Sequence, residues 1–407
     1  MASEKNYIRK RIIQGKLQSI WFYLFRICPI DQKKITFCCI EGTTGYSCNP
    51  KYIAEELIKH NREHEDDKYK LVWLVNDTTK VFPVEIKVVK NTLINRAYHL
   101  TTSRFWIDNS RKQLECRKRK GQTYIQTWHA KLGFKPTCLD RGASFSRIAY
   151  LVSKHDSDMV DYWLSNSDWY DNTLKTGSLY EGKTLRTGSP RCDILVHARD
   201  DAEFKREIKK NICRSNNIDA DDIDNIHFMM YAPTFRGGSQ GTDRKLNEEK
   251  HFPNFETLKT SLESKFGGKW YILLRLHPQL VVRGLADVSE DGIVDVSKVD
   301  DMYEILAGCD AFMTDYSSAA FDAAIMEIPI FLYCDDYEEY ETERGKLLWN
   351  LRELPFVFAE DDEKLTCGVV DFGEREYLDE LSRFQKEIVV VENGYATPKL
   401  VKFIISQ

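Results

Sequence analysis

The sequence predicts an α/β protein made of two doubly wound, Rossmann-like domains. Three observations carry that reading. From residue 34 onward, short apolar runs of strand length alternate with amphipathic segments of helical spacing. The alternation pauses near residue 190 and then restarts. And 407 residues exceed one ordinary hydrophobic core and suit two.

The elements follow in order. Residues 1–33 precede the first strand. Within them Tyr7, Ile8, Ile12, Ile13, Leu17, Ile20, Trp21, Leu24 and Phe25 largely keep i, i+3, i+4 spacing. Lys and Arg fill much of the remaining face: residues 1–34 hold eight basic side chains against two acidic ones, a local balance of +6. That composition suits a basic amphipathic helix lying in a membrane interface, or one docked on the protein's own surface. Its longest apolar run, Ile20 to Phe25, is far too short to span a bilayer.

Residues 34–190 form the first predicted domain. Strands are expected at 35–40, 71–75, 86–89, 105–108, 123–126, 162–165 and 184–186. Helices are expected at 50–60, where Pro50 suits a first turn, and at 91–103. Residues 191–385 form the second predicted domain, with strands at 227–232, 270–276, 293–296, 311–314 and 329–333. Helices are expected at 199–213, 254–265 and 302–307, and residues 236–250 read as a loop. Residues 386–407 are expected to form a closing helix that packs back. In such sheets ligands sit beyond the carboxyl ends of the strands.

Composition excludes several classes. A formal net charge of -5 does not suit a polyelectrolyte binder, and the one basic run, 111–120, reads as a solvated or lipid-facing loop. No Gly-x-Gly-x-x-Gly follows the first strand and no Walker A segment occurs. Eleven cysteines include no Cys-x-x-Cys, so neither a zinc ribbon nor a redox motif is predicted. Scattered cysteines without a secretory signal predict a cytoplasmic protein.

Several segments beyond strand ends carry chemistry. Thr314-Asp315-Tyr316-Ser317-Ser318 follows a buried run and opens a helix, with Asp322 four residues on. Free amides at a helix start accept a phosphate, and Ser317 and Ser318 add hydroxyl donors. His129, in Gln126-Thr127-Trp128-His129, titrates near neutral pH and is a natural general base, although a lone histidine is more often structural. Arg275 and His277, in Arg275-Leu276-His277-Pro278, form a plausible anion clamp or a capped strand end. Pro233, Thr234 and Arg236 follow another strand, and Arg191 sits at the junction of the two halves.

In order, these blocks resemble the CDP-glycerol glycerophosphotransferase family of bacterial teichoic acid primases and polymerases, over nearly the whole chain after residue 34. The resemblance rests on Phe105-Trp106-Ile107-Asp108-Asn109-Ser110, Gln126 to His129, Gly188-Ser189-Pro190-Arg191-Cys192-Asp193, Tyr231 to Arg236, Arg275 to Pro278, and Thr314 to Asp322. Glu392-Asn393-Gly394-Tyr395-Ala396-Thr397 is similar to the family's closing segment. The resemblance implies a GT-B architecture, two Rossmann-like domains facing a cleft, working without metal or cofactor. It implies that His129 deprotonates an acceptor hydroxyl, which attacks the β-phosphorus of a CDP-polyol and releases CMP. It further implies that Arg275, His277, Ser317 and Ser318 hold the pyrophosphate, and that Arg191, Pro233, Thr234 and Asp322 line the nucleotide-polyol site.

One departure stands out. The family's common Trp-His-Gly-Thr-Pro-Leu-Lys is replaced by Trp128-His129-Ala130-Lys131-Leu132-Gly133-Phe134-Lys135. The implied partners are CDP-glycerol or CDP-ribitol, a lipid-linked acceptor and a membrane surface, with no nucleic acid. The implied location is the cytoplasmic membrane face, held peripherally. The lack of a long N-terminal extension leaves one or few additions as plausible as polymerisation. A nucleotide-sugar glycosyltransferase is the alternative; it calls for a ribose-binding Glu near 314–322, where Glu327 is the nearest downstream candidate.

Overall fold

A computed structural model describes residues 2–234, 252–276, 292–344 and 346–407. They fall into two compact units. The first comprises Met1–Lys131, Thr137–Asp193 and Val390–Gln407; the second comprises Leu132–Pro136 and Ile194–Val389.

The first unit contains a seven-stranded sheet in the order β3-β2-β1-β4-β5-β6-β7. Its strands are β1 (Asp31–Cys38), β2 (Lys70–Val75), β3 (Ile86–Lys90), β4 (Ser103–Asp108), β5 (Thr123–Gln126), β6 (Tyr162–Leu164) and β7 (Lys183–Leu185). Every pairing is parallel. The central strands are buried on both faces, which is why they read as continuous apolar runs. On one face Ile35, Phe37 and Trp73 pack against Ile53 and Leu57 of helix Cys48–Glu63 and Leu400 and Ile404 of helix Ala396–Ile405. On the other, Trp106, Tyr124 and Trp163 meet Leu100, Tyr170 and Leu174. Strand order reverses between β1 and β4, so the carboxyl ends of those strands flank a topological switch point.

The second unit contains a six-stranded parallel sheet, β10-β9-β8-β11-β12-β13. Its strands are β8 (Ile226–Tyr231), β9 (Lys269–Leu274), β10 (Ile293–Asp295), β11 (Ala311–Thr314), β12 (Ile330–Tyr333) and β13 (Val357–Ala359). Its switch point lies between β8 and β11. The sequence reading had five strands here. The missed one, β13, follows Pro355 closely and buries only Ala359 of its three residues, so it shows no continuous apolar run.

Three further expectations change. The single helix at 199–213 is two helices, Asp193–Asp200 and Ala202–Ser215. Asp201 caps the second by accepting from the amides of Glu203 and Phe204 at 3.0 Å each. The closing segment holds helix Ala396–Ile405 in the first unit, whereas the long helix before it, Glu374–Glu387, belongs to the second.

The basic run 111–120 is not a solvated loop. Arg111 and Lys112 are ion-paired with Asp156 and Asp108, and Lys118 with Asp161. Arg119 donates to the Cys28 carbonyl at 2.8 Å, and Arg117 to the carbonyls of Leu114 and Cys116. A charge run in sequence does not display its partners, and here the carboxylates that pair with it lie outside the run.

The N-terminal segment forms helices Ala2–Gln18 and Ile20–Leu24. Its inward seam passes through Gly15, Ser19 and Phe22. A Cβ on Gly15 would sit 2.8 Å from the Leu114 Cβ, so only glycine permits that approach. The apolar side chains of Leu17, Ile20, Tyr23, Leu24 and Ile27 instead face outward, at 50–90% exposure. Among the described residues no helix is long and apolar enough to cross a membrane.

Candidate functional site

In the first unit, the carboxyl ends of β1, β4 and β5 converge on His129. The Gln126 to His129 block follows β5 directly. The Thr127 amide and hydroxyl both donate to the Asp108 carbonyl, at 2.7 and 2.9 Å. Trp128 then takes a left-handed backbone, φ 43°. That conformation costs a non-glycine residue about 1–3 kcal/mol and persists only where neighbours hold it. The Gln126 side chain accepts from the Trp128 amide at 3.0 Å, and Asn49 Nδ2 donates to the Trp128 carbonyl at 2.7 Å. The Trp128 ring is covered by the Arg111 guanidinium, 4.9 Å from its centroid, and the same guanidinium lies 5.0 Å from the Trp163 ring.

The turn presents a half-buried His129. Its Nδ1–H donates to the Asn109 carbonyl at 2.8 Å, which fixes the tautomer and leaves Nε2 with its lone pair. Burial lowers the imidazole below its ordinary value. The Asn109 carbonyl and Cys48 oppose that shift, while the charges of Arg191 and Arg111 reinforce it. A neutral imidazole with an unprotonated Nε2 is the form a general base requires.

Asn109 has a second task. Its Oδ1 accepts from the Ile40 amide at 2.7 Å, and Ser110 Oγ accepts from the Glu41 amide at 2.8 Å, so the Asn-Ser pair pins the loop after β1. Arg191 is buried in the first unit, with its amide donating to Asn49 Oδ1 and its Nη1 to Cys48 Sγ at 3.3 Å. Lys131, in the departing segment, is buried and donates to Ser189 Oγ at 2.9 Å and the Thr127 carbonyl at 3.2 Å. It thereby ties the His129 turn to the Gly188–Ser189 segment without a Gly-Thr-Pro turn.

The second unit builds its own strand-end cluster. Thr234 follows β8, and its amide donates to both Asp315 oxygens at 2.8 and 3.0 Å. Thr314 Oγ1 donates to the Ala232 carbonyl at 2.6 Å, so the segments after β8 and β11 are bonded across the switch point. Pro233 is buried between them. Asp315 therefore serves backbone amides. Asp322 accepts from the Tyr303 hydroxyl. Ser317 and Ser318 are half-buried at the start of Ala319–Ala323, a helix of five residues, and Ser317 Oγ accepts from the Ala319 amide at 3.3 Å. So short a helix supplies amides but little macrodipole. β9 ends at Leu274, before Arg275, which donates through Nη1 to the carbonyls of Val296 and Val299. Burial lowers its basicity, against the acidic side chains of Asp301, Asp300 and Asp295. His277 and Arg236 lie outside the described residues.

The segment after His129 is divided between the units. Gly133 and Phe134 belong to the second, where the Phe134 ring packs at a tilt against Phe321, 4.8 Å between centroids, and the Trp349 indole N–H donates to the Gly133 carbonyl at 3.1 Å. Gly133 also lies against Ser318.

Sequence reasoning missed Asn49, Cys48, Arg111 and Lys131. Asn109 stands in the Phe105 to Ser110 block, and Lys131 in the segment that departs from the family's pattern, but neither role is legible there. Arg111 was hidden inside a charge run, and Asn49 inside a helix start. Among the described residues no cluster of three or more His, Cys, Asp or Glu side chains is placed to hold a metal ion.

The family described as CDP-glycerol:poly(glycerophosphate) glycerophosphotransferase matches residues 20–406. The chain is 26% identical to a teichoic acid poly(glycerol phosphate) polymerase of Staphylococcus epidermidis, over 97% of this chain but 53% of that protein, so it spans about half the relative's length. It is 27% identical to a teichoic acid glycerol-phosphate transferase of Staphylococcus aureus, over 98% of this chain and 99% of that one. It is 24% identical to a teichoic acid ribitol-phosphate primase of Bacillus spizizenii, over 97% of each. A solved structure of the wall teichoic acid polymerase TagF superposes with a TM-score of 0.78 over 99% of this chain and 97% of that one, at 23% identity, which establishes the shared GT-B-like fold.

Proposed function

Because the chain belongs to the CDP-glycerol:poly(glycerophosphate) glycerophosphotransferase family, we propose that it transfers glycerol phosphate from CDP-glycerol to a hydroxyl of a lipid-linked acceptor. One observation carries this reading: His129 donates through Nδ1 to Asn109, which leaves Nε2 ready to take a proton. In the proposed reaction Nε2 removes the acceptor hydroxyl proton. The acceptor oxygen bonds to the β-phosphorus, and the bond from that phosphorus to the bridging oxygen breaks. CMP leaves with the electron pair. Such transfers depend mainly on positioning and on stabilising charge. Arg275, His277, Ser317 and Ser318 are proposed to supply that stabilisation, and Arg191, Pro233, Thr234 and Asp322 to line the donor site. CDP-ribitol is the second reading, favoured by the similarity to the ribitol-phosphate primase over 97% of its length.

The acceptor is proposed to be reached at a membrane surface. The outward Leu17, Ile20, Tyr23, Leu24 and Ile27, interleaved with basic residues, support this. Sedimentation with anionic vesicles should fall when Leu17, Ile20 and Leu24 are changed together to Ser; unchanged binding would exclude this face as the contact.

The test of the reaction is CMP release from CDP-glycerol and, separately, CDP-ribitol, with a lipid-linked acceptor and EDTA present. Release that persists in EDTA and is lost in His129→Ala is expected, and the preferred donor identifies the polyol. No CMP from either donor across a panel of acceptors would overturn the proposal.

A further inference from the structure

The first unit holds two thiols, Cys39 and Cys48, that the proposed transfer does not use. Cys39 follows β1 and is fully buried, and Cys48 opens helix Cys48–Glu63 and is half-buried. The loop 40–47 folds back on itself: Cys39 Sγ lies 3.6 Å from the hydroxyl of Ser47, the residue before Cys48, and there the two thiols influence each other's ionisation. Each has a further partner. Arg191 Nη1 approaches Cys48 Sγ at 3.3 Å, and Asn109 Nδ2 donates to Cys39 Sγ at 3.1 Å.

Burial alone would push the Cys48 thiol up. The hydrogen bond with Cys39 and the charge of Arg191 outweigh it and hold Cys48 well below its ordinary value. Thiols held in this way beside a guanidinium at a helix start are the reactive ones. By contrast Cys38 and Cys116 are buried and pushed up to about 12.

We propose that Cys48 and Cys39 form a peroxide-responsive thiol pair, with Cys48 the attacking sulfur and Cys39 the resolving one, set beside His129. The Cys48 thiolate attacks one oxygen of hydrogen peroxide. The O–O bond breaks, hydroxide leaves, and Cys48 becomes a sulfenic acid. The Cys39 sulfur then attacks the Cys48 sulfur. An S–S bond forms, the S–O bond breaks, and the Cys39 proton leaves with the hydroxyl as water. The disulfide withdraws Cys48 from Arg191 and Cys39 from Asn109, whose carbonyl orients His129. Oxidation therefore slows the transfer.

The thiol chemistry stands without the transferase reading; only its effect on turnover rests on it. The test treats the full chain with hydrogen peroxide, blocks remaining thiols with iodoacetamide and maps peptides. A Cys39–Cys48 linked peptide that disappears on reduction is expected. Without peroxide, Cys48 should alkylate about tenfold faster than the exposed Cys367. In Cys39→Ala, dimedone should trap Cys48. No linked peptide, together with alkylation of Cys48 no faster than Cys367, overturns the pair, and wild-type protein suffices for both. CMP release measured in parallel should fall as the link forms and return on reduction. Unchanged release with the link complete overturns the control of turnover. No release even from reduced protein bears on the transferase reading alone.

Discussion

At the scale of residues, the site is a set of supports around one imidazole. His129→Ala should lower kcat/KM by at least about 100-fold, the usual contribution of a positioned base. Because the imidazole is held below its ordinary value, the base is already neutral at pH 7, and the acid limb of kcat/KM should lie below the usual histidine range. Arg111→Met removes a positive charge that disfavours imidazolium. The pKa of His129 then rises, so the acid limb should move to higher pH; a merely structural Arg111 would leave it in place. The same change leaves Asp156 without its guanidinium and should cost about 3 kcal/mol in urea unfolding. A second histidine reports on stability. Burial, with the charges of Lys34 and Lys87, lowers His99 to about 4. The unfolded chain takes up a proton near its ordinary value while the folded chain does not. Stability is therefore lost as pH falls from about 6.5 to about 4, by up to about 3 kcal/mol, and His99→Leu should flatten that slope.

At the scale of elements, small close approaches decide how segments dock. The N-terminal helix meets the 111–120 segment through Gly15, so Gly15→Leu should force it away at a cost of about 1–3 kcal/mol. Amide exchange over residues 2–27 would report this, with the sheet unaffected. Phe134 anchors the post-His129 segment within the second unit. Phe134→Ala should cost about 3–5 kcal/mol there, read as an earlier unfolding transition. Strand positions were legible in the sequence because double-sided burial demands continuous apolar runs, as in Leu71 to Val75. The three-residue β13 was not legible, and neither was the break at Asp201, where one capping carboxylate divides a continuous helical pattern.

At the scale of the whole molecule, two parallel sheets each place loops at a switch point, and the candidate residues divide between them. His129 and Arg191 belong to the first unit; Pro233, Thr234, Arg275, Ser317, Ser318 and Asp322 belong to the second. EDTA should leave CMP release unchanged, because the proposed charge stabilisation comes from side chains and amides; loss restored by Mg²⁺ would contradict it. By itself the sequence determined the α/β class, the restart into a second sheet and the ordered blocks that carry the family resemblance. Those are properties of local periodicity and of short contiguous motifs. Only the tertiary structure decided that the basic run 111–120 is paired, that Asp315 serves backbone amides, and that Cys48, Asn109 and Arg191 surround one histidine. Each of these depends on partners far apart in the chain, and a side chain's charge, protonation and reactivity are set by what packs against it, which spacing along the chain does not encode.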